Sequence, residues 1–237
     1  MADQSNEQLW QRFADQYQLT PEQLQQYQRY YAMLMAANKE YDLTAITDFE
    51  SILAYHFADS LEIGKCLTEF AHDPDATGSP TSWHPERSTV PGEALAKTGG
   101  CSAIADVGTG AGFPGLALKI KYPHLQVILI EVLQKRINFL QSVIDDLQLT
   151  NISIYSHDWR TFLRKTDYKL DLICSRASLH PAELLRMFQP SSPYKNALLA
   201  YWASIEWQPE GKEAAHIFKT CEYQVKDRTR KYVIFKA

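Results

Sequence analysis

Apolar residues Leu9, Phe13, Leu19, Leu24, Tyr27, Tyr31 and Leu34 recur at helical spacings, which predicts two helices over residues 7–38. The pair Thr20-Pro21 marks the second start, with Thr20 as N-cap and Pro21 at the first helical position. A third helix is expected from Glu50 to Leu67. From Ala71 to Gly100 the periodicity stops, and His72-Asp73-Pro74, Gly78-Ser79-Pro80 and Val90-Pro91-Gly92 read as a mobile loop or linker. After Gly100 strands and helices alternate. Strands are expected at Ala103–Val107, Val127–Glu131, Ile152–Tyr155, Leu170–Ser175 and Ala197–Trp202. Helices are expected at Gly115–Tyr122, Lys135–Leu147, Pro181–Phe188 and Ala214–Lys219, and Tyr223–Lys226 with Tyr232–Lys236 suggests a closing antiparallel pair. Such alternation implies an α/β fold, a mostly parallel sheet with helices on both faces. The expected organisation is a helical N-terminal extension (1–70), a flexible insertion (71–100) and one α/β domain (101–237).

Composition adds only limits. The longest apolar runs, Val127–Ile130 and Ala197–Trp202, are too short to span a bilayer, so no membrane association is expected. The polar, acidic N-terminus does not resemble a signal or transit peptide. Cys66, Cys101, Cys174 and Cys221 are scattered without a CxxC pair, which argues against a zinc site or disulfide framework and for a reducing cytoplasm. The net charge of −4 is unevenly shared: residues 1–100 hold 6 Lys+Arg against 15 Asp+Glu, and residues 101–237 hold 18 against 13. An anionic partner therefore suits the C-terminal part better.

The chemistry concentrates in Asp106-Val107-Gly108-Thr109-Gly110-Ala111-Gly112-Phe113-Pro114-Gly115, between the first strand and first helix of the alternating region. Ligands of open α/β sheets lie outside the carboxyl ends of the strands, where such a loop sits. Two readings compete. Gly110, Gly112 and Gly115 match the dinucleotide fingerprint GxGxxG, which would set an NAD pyrophosphate on the helix N-terminus. Asp106 with Gly108, Gly110 and Gly112 instead gives an acid followed by GxGxG, the pattern of Rossmann-like methyltransferases. An acid at the strand end suits the ammonium of S-adenosyl-L-methionine and sits poorly beside a pyrophosphate. Glu131, at the end of the second strand, can accept both ribose hydroxyls of either nucleoside cofactor. The acid and Pro114, which removes one N–H from the helix start, favour S-adenosylmethionine.

Several further segments carry a resemblance. Asn38-Lys39-Glu40-Tyr41-Asp42-Leu43-Thr44-Ala45-Ile46 is followed by His56-Phe57-Ala58-Asp59-Ser60-Leu61, then by the Pro-Gly-containing glycine loop, by Lys135-Arg136-Ile137-Asn138-Phe139-Leu140, and by Ser175-Arg176-Ala177. In this order the chain resembles the GidB (RsmG) family of small-subunit ribosomal RNA methyltransferases, over nearly its whole length apart from the insertion. The resemblance implies a Rossmann-like class I methyltransferase: a mostly parallel seven-stranded sheet plus an N-terminal helical cap. It implies methyl transfer to N7 of a guanosine in 16S ribosomal RNA, with ribosomal RNA or a ribosomal particle as partner. No metal is expected, and the chain is expected to act as a monomer in the cytoplasm.

By the same resemblance Arg176 is the candidate catalytic cation at the cofactor site, and Gly108 and Phe113 are cofactor contacts. Lys135 and Arg136 place positive charge at a helix N-terminus, against the dipole, which points to RNA phosphate. His56 and Asp59, three apart on an expected helix, read as a structural hydrogen-bonded pair. Lys226, Arg228, Arg230 and Lys231 suit either RNA contact or a charged strand edge. The match departs after the third strand, where Asp158, Trp159 and Arg160 stand in the family's acidic segment. Asp158 there is a candidate acceptor for the adenine amino group and Trp159 a candidate for stacking on the ring. The fifth strand ends Tyr201-Trp202-Ala203, without the family's Lys-Gly. These departures leave two alternatives open: a diverged paralogue with another substrate, and a non-catalytic RNA- or ribosome-binding module.

Overall fold

The computed structural model describes residues 2–64, 67 and 101–237, so the expected insertion at 71–100 and residues 65 and 66 of the third expected helix lie outside the described residues. Helix α1 (Ala2–Tyr17) and α2 (Pro21–Tyr41) open the chain. The junction carries a reciprocal cap: Thr20 Oγ1 accepts from Gln23 N at 3.2 Å and Gln23 Oε1 accepts from Thr20 N at 3.0 Å. Helix α3 (Phe49–Ile52) runs on through a wider π-helical segment, Leu53–Ala58, into α4 (Asp59–Leu61).

The α/β part contains β1 (Ala103–Val107), α5 (Gly115–Lys121), β2 (Gln126–Ile130), α6 (Gln134–Asp146), β3 (Ile152–Tyr155), α7 (Trp159–Lys165), β4 (Leu172–Arg176), α8 (Pro181–Leu184) with a 3₁₀ turn Leu185–Phe188, β5 (Leu198–Ala203), α9 (Glu213–His216), β6 (Ile217–Val225) and β7 (Arg228–Phe235). The strands form one seven-stranded sheet in the order β3-β2-β1-β4-β5-β7-β6. Strands β1 to β5 are parallel, and β7 runs antiparallel to both β5 and β6. The chain leaves β1 toward β2 and β3, then returns to its other side at β4. That reversal opens a crevice at the carboxyl ends of β1 and β4.

The expected alternation holds, with two corrections. The helix expected over Ala214–Lys219 is only Glu213–His216; from Ile217 the chain is strand, half-buried at every second residue as an edge strand should be. The Trp159–Lys165 helix is an addition: Asp158 caps it, its carboxylate accepting from Thr161 N at 2.8 Å.

Alternate strand residues feed two cores. Ile104, Leu129, Cys174, Ala200, Trp202 and Ile234 face α5, α6 and the N-terminal helices. Ala105, Ile128, Ile173, Leu199 and Val233 face Trp159, Phe162, Leu184 and Met187 of α7, α8 and the 3₁₀ turn. The N-terminal helices thus share the first core with the sheet.

One face of α2 also bonds to backbone. Gln23 Nε2 donates to Ile120 O (3.0 Å) and Lys121 O (2.8 Å), Tyr27 OH donates to Ala117 O (2.6 Å), and Tyr30 OH donates to Ala111 O. Positions 23, 27 and 30 fall on one helical stripe. Ile120 and Lys121 carry last-turn carbonyls of α5, which no intrahelical N–H satisfies. The helix therefore caps α5 from the side and reaches the glycine loop with Tyr30.

Candidate functional site

The loop after β1 is held on both sides. Gly108 N and Thr109 N donate to Ile130 O at 2.9 and 3.2 Å, tying it to the end of β2. Gly110 (φ +62°) and Gly112 (φ +101°) both need the backbone freedom of glycine, for different reasons. At Gly112 an added Cβ would drive into Leu116 and the Tyr30 hydroxyl. At Gly110 it would meet only Gly108 O, at 3.9 Å, so this side of the loop is open.

Asp106 lies under the loop, fully buried. Its Oδ2 accepts from Thr109 Oγ1 (2.6 Å) and Gly115 N (2.8 Å), while Oδ1 has no hydrogen-bond partner. Burial pushes its pKa up to about 6, against the opposing pull of those two bonds and of Arg176. A buried acid with one unpaired oxygen suits a cationic ligand group. The Gly115 N–H at the start of α5, which the dinucleotide reading needs for a pyrophosphate, is spent on this carboxylate.

Glu131 follows β2 and is 4 % exposed. Oε1 accepts from Val132 N (2.9 Å) and Leu133 N (3.0 Å), and Oε2 from Gly110 N (3.1 Å). With about four acceptor positions on a carboxylate, one on Oε2 remains for a hydroxyl donor. Val132 and Leu133 beside it are exposed apolar side chains. Glu131 thus holds the loop at Gly110, and Asp106 holds it at Thr109 and Gly115.

Arg176 ends β4. Asp106 pairs with Cys174 in register, so Arg176 sits two residues further along the neighbouring strand and on the same face. Its Nη1 donates to Tyr55 O (2.9 Å) and Asp59 Oδ2 (3.0 Å), its Nη2 donates to His56 Nδ1 (3.3 Å), and its guanidinium lies over the Phe113 ring at 5.3 Å. An arginine only donates, so His56 Nδ1 is the acceptor and Nε2–H donates to Thr44 Oγ1 at 2.7 Å. Burial and the neighbouring Arg176 push the His56 pKa down to about 3, so the ring is neutral. Asn38 in turn brackets Thr44, donating to its O and accepting from its N. The two N-terminal motifs are one hydrogen-bonded chain ending on Arg176. The π-helical segment and the start of α4 present carbonyls to side chains: those of Tyr55, His56, Ala58 and Asp59 accept from Arg176, Ser60, Tyr17 and Trp202.

Phe113 is buried and stacks with His56 (centroids 4.8 Å apart) and with Tyr30 (5.3 Å). Gly108 abuts Ser178, whose hydroxyl donates to Val107 O at 2.7 Å. The structure does not bring Trp159 or Arg160 to the glycine loop. Trp159 is in the second core, stacked on Phe162, with Nε1 donating to Glu183 O at 3.1 Å. Arg160 pairs with Glu183 at 2.7 Å. Asp158 is exposed and serves as the α7 cap. Arg136 turns inward, 3.6 Å from Glu131 Oε2, whereas Lys135 is exposed. Lys231 Nζ is spent on Ile205 O and Trp207 O, and Arg230 lies against Asp59. Among the described residues no cluster of His, Cys, Asp and Glu is arranged to hold a metal, and no helix is long and apolar enough to cross a membrane.

Sequence reasoning missed Tyr30, Ser178 and Tyr223. Tyr30 had one available signal: it shares a helical stripe with Gln23 and Tyr27, three polar tips on a buried face. We expect Tyr30→Phe, which leaves Ala111 O unpaired, to lower stability by about 1 kcal/mol. Urea denaturation should show it as a lowered midpoint with an unchanged slope.

A sheet in this order, with β7 reversed and an acid and glycine loop at the switch point, defines the Rossmann-like class I methyltransferase fold. Among solved structures the chain is similar to that of an MtNAS mutant, with 12 % identity, a TM-score of 0.50 and coverage of 87 % of this chain and 71 % of that one, a likeness of fold alone. The chain belongs to the GidB family, rRNA small subunit methyltransferase G, whose model matches residues 23–75 and 90–231. It is 39 % identical over 136 residues to the ribosomal RNA small subunit methyltransferase G of Leuconostoc citreum (strain KM20), covering 57 % of this chain and 46 % of that relative. For the protein of the same name in Lachnoclostridium phytofermentans the figures are 37 % over 174 residues, 73 % and 60 %. For that of Geobacillus sp. (strain WCH70) they are 32 % over 203 residues, 84 % and 73 %. The chain thus spans about half to three quarters of the length of these relatives.

Proposed function

We propose that the protein is an S-adenosylmethionine-dependent methyltransferase acting on N7 of a guanosine in small-subunit (16S) ribosomal RNA. One observation carries the cofactor reading: fully buried Asp106, under the glycine loop, leaves its Oδ1 unpaired and lies on the same sheet face as Arg176. An acid and a guanidinium so placed suit the ammonium and carboxylate of an amino acid. Glu131 Oε2 suits a ribose hydroxyl, and Val132 and Leu133 offer an apolar wall for the base. The cofactor supplies an electrophilic methyl group on a sulfonium.

Family membership supplies the target class, and the residues agree with it. N7 of guanine carries a free lone pair, so its attack needs no general base. His56, neutral and bonded through both ring nitrogens, is not a proton shuttle. What the chain contributes is alignment and a fixed cation. The exposed Lys135 at the start of α6 suits an RNA phosphate, and Arg136 steadies Glu131 instead. The protein acts as a monomer in the cytoplasm on ribosomal RNA or a ribosomal particle.

The test is tritium transfer from labelled S-adenosylmethionine to small ribosomal subunits that lack this modification. Label recovered as 7-methylguanosine is the expected result. Cofactor binding without label would assign the chain to a paralogue with another substrate, or to a retired enzyme.

A further inference from the structure

The seam between the π-helical segment and the sheet holds a buried charged cluster that the methyl-transfer chemistry does not itself require. Asp59 at its centre is fully buried. Its Oδ2 accepts from Arg176 at 3.0 Å; its Oδ1 accepts from Tyr223 OH at 2.7 Å and lies 3.0 Å from Arg230 Nε. Arg176 is nearly as buried, and an arginine has only five N–H donors. Three of them are committed to Asp59, Tyr55 O and His56. The guanidinium carbon lies 5.3 Å from the ring centre of Phe113, the residue that follows the last glycine of the GxGxG run.

This arrangement does two things. A guanidinium anchored through both terminal nitrogens cannot swing away from the glycine loop, so its remaining N–H groups keep one direction. A buried carboxylate paired with Arg176 alone would cancel its charge. Here Asp59 is shared with Arg230, and His56 is neutral, so the cluster keeps a net positive charge.

We propose that Asp59 is a positioning residue for cofactor binding: it touches no ligand, and it acts by holding Arg176 in the orientation that receives the cofactor carboxylate. Tyr223 and Arg230 are its supports, both on the β6–β7 hairpin, so the last two strands contribute to a site built on β1, β2 and β4. The inference rests on the methyltransferase reading proposed above.

The test is a double-mutant cycle on the full chain, reading S-adenosylmethionine affinity by calorimetry. Asp59→Asn should weaken binding about tenfold and Arg176→Met about thirtyfold, while the double variant should match Arg176→Met within about twofold, because residues acting as one unit are not additive. A merely structural Asp59 would not show that coupling. Effects that add, or an Asp59→Asn variant that binds like the parent, overturn the inference. Should Asp59→Asn not fold, Tyr223→Phe decides: it removes one bond to Asp59 and leaves both ion pairs. It should weaken binding about threefold in the parent and not at all beside Arg176→Met. No effect in the parent, or one that survives Arg176→Met, overturns the inference. Failure of the parent chain to bind the cofactor would instead overturn the methyltransferase reading.

Discussion

Asp106→Asn is expected to remove S-adenosylmethionine binding and to make the protein more stable in its absence. The two effects share one cause. Asp106 is fully buried, and its Oδ1 has no partner in the fold. An asparagine keeps the acceptor that Thr109 Oγ1 and Gly115 N require, and loses the charge that burial penalises. The sign follows from the raised pKa, from 3.8 to about 6. The folded state holds the proton more tightly than the unfolded chain. The stability this gives is fully present below about pH 4 and is lost as pH rises to about 6. At pH 7 the folded protein therefore carries the whole penalty, of order 2 to 3 kcal/mol at 1.36 kcal/mol per unit. Urea melts should show the Asn variant ahead of the parent by about that much at pH 7, with the gap closing toward pH 4. Calorimetry should show affinity reduced by at least about a hundredfold, the loss of a charge-assisted contact in a buried site. In the parent chain affinity should fall below about pH 6, as the carboxylate takes up its proton, and the variant should show no such dependence. A variant that binds normally would remove Asp106 from the site.

The features of the site that are close in sequence were the legible ones. The glycine loop, the acids at the ends of β1 and β2, and the capped start of α2 are each written within ten residues, in types whose backbone or charge properties leave little choice. Strand and helix order followed from apolar periodicity, and failed where periodicity is ambiguous. Ala214, Ile217 and Phe218 fit a helical stripe, but Ile217–Val225 also alternates, and pairing with β7 decides for the strand. Asp158 and Thr161 have the spacing of an N-cap and the amide it serves, a signal for the helix that the apolar periodicity did not carry. Trp159 shows why an aromatic after a strand is hard to place: the second sheet face needed cover, and it supplies some of it. The partners of Arg176 were not legible, because His56 and Asp59 lie more than a hundred residues upstream. Only the fold shows that a motif on a helix and a motif on β4 meet on one guanidinium.

Gly110→Asp is expected to leave the protein folded and to abolish cofactor binding. The neighbouring glycines set the contrast. Side chains at Gly108 or Gly112 would strike Ser178, or Leu116 and Tyr30, so substitutions there would disturb the fold itself and say little about the ligand. Gly110 faces open space, and aspartate is among the few side chains that tolerate a φ near +60°, so the backbone cost should be about 1 kcal/mol. Denaturation should therefore remain cooperative, with a midpoint only slightly lowered. The new carboxylate would stand on the residue whose N–H already binds Glu131 Oε2. It would fill the space of the nucleoside and add a third negative charge beside two buried acids. Affinity for S-adenosylmethionine should drop by at least about a hundredfold, or more than about 2.7 kcal/mol. The replacement by alanine separates the two causes: it keeps the strain and omits the charge and most of the bulk, so Gly110→Ala should lose only about tenfold or less. Unchanged affinity in Gly110→Asp would mean that the ligand does not lie on this side of the loop, and the assignment of Glu131 to the ribose would fall with it.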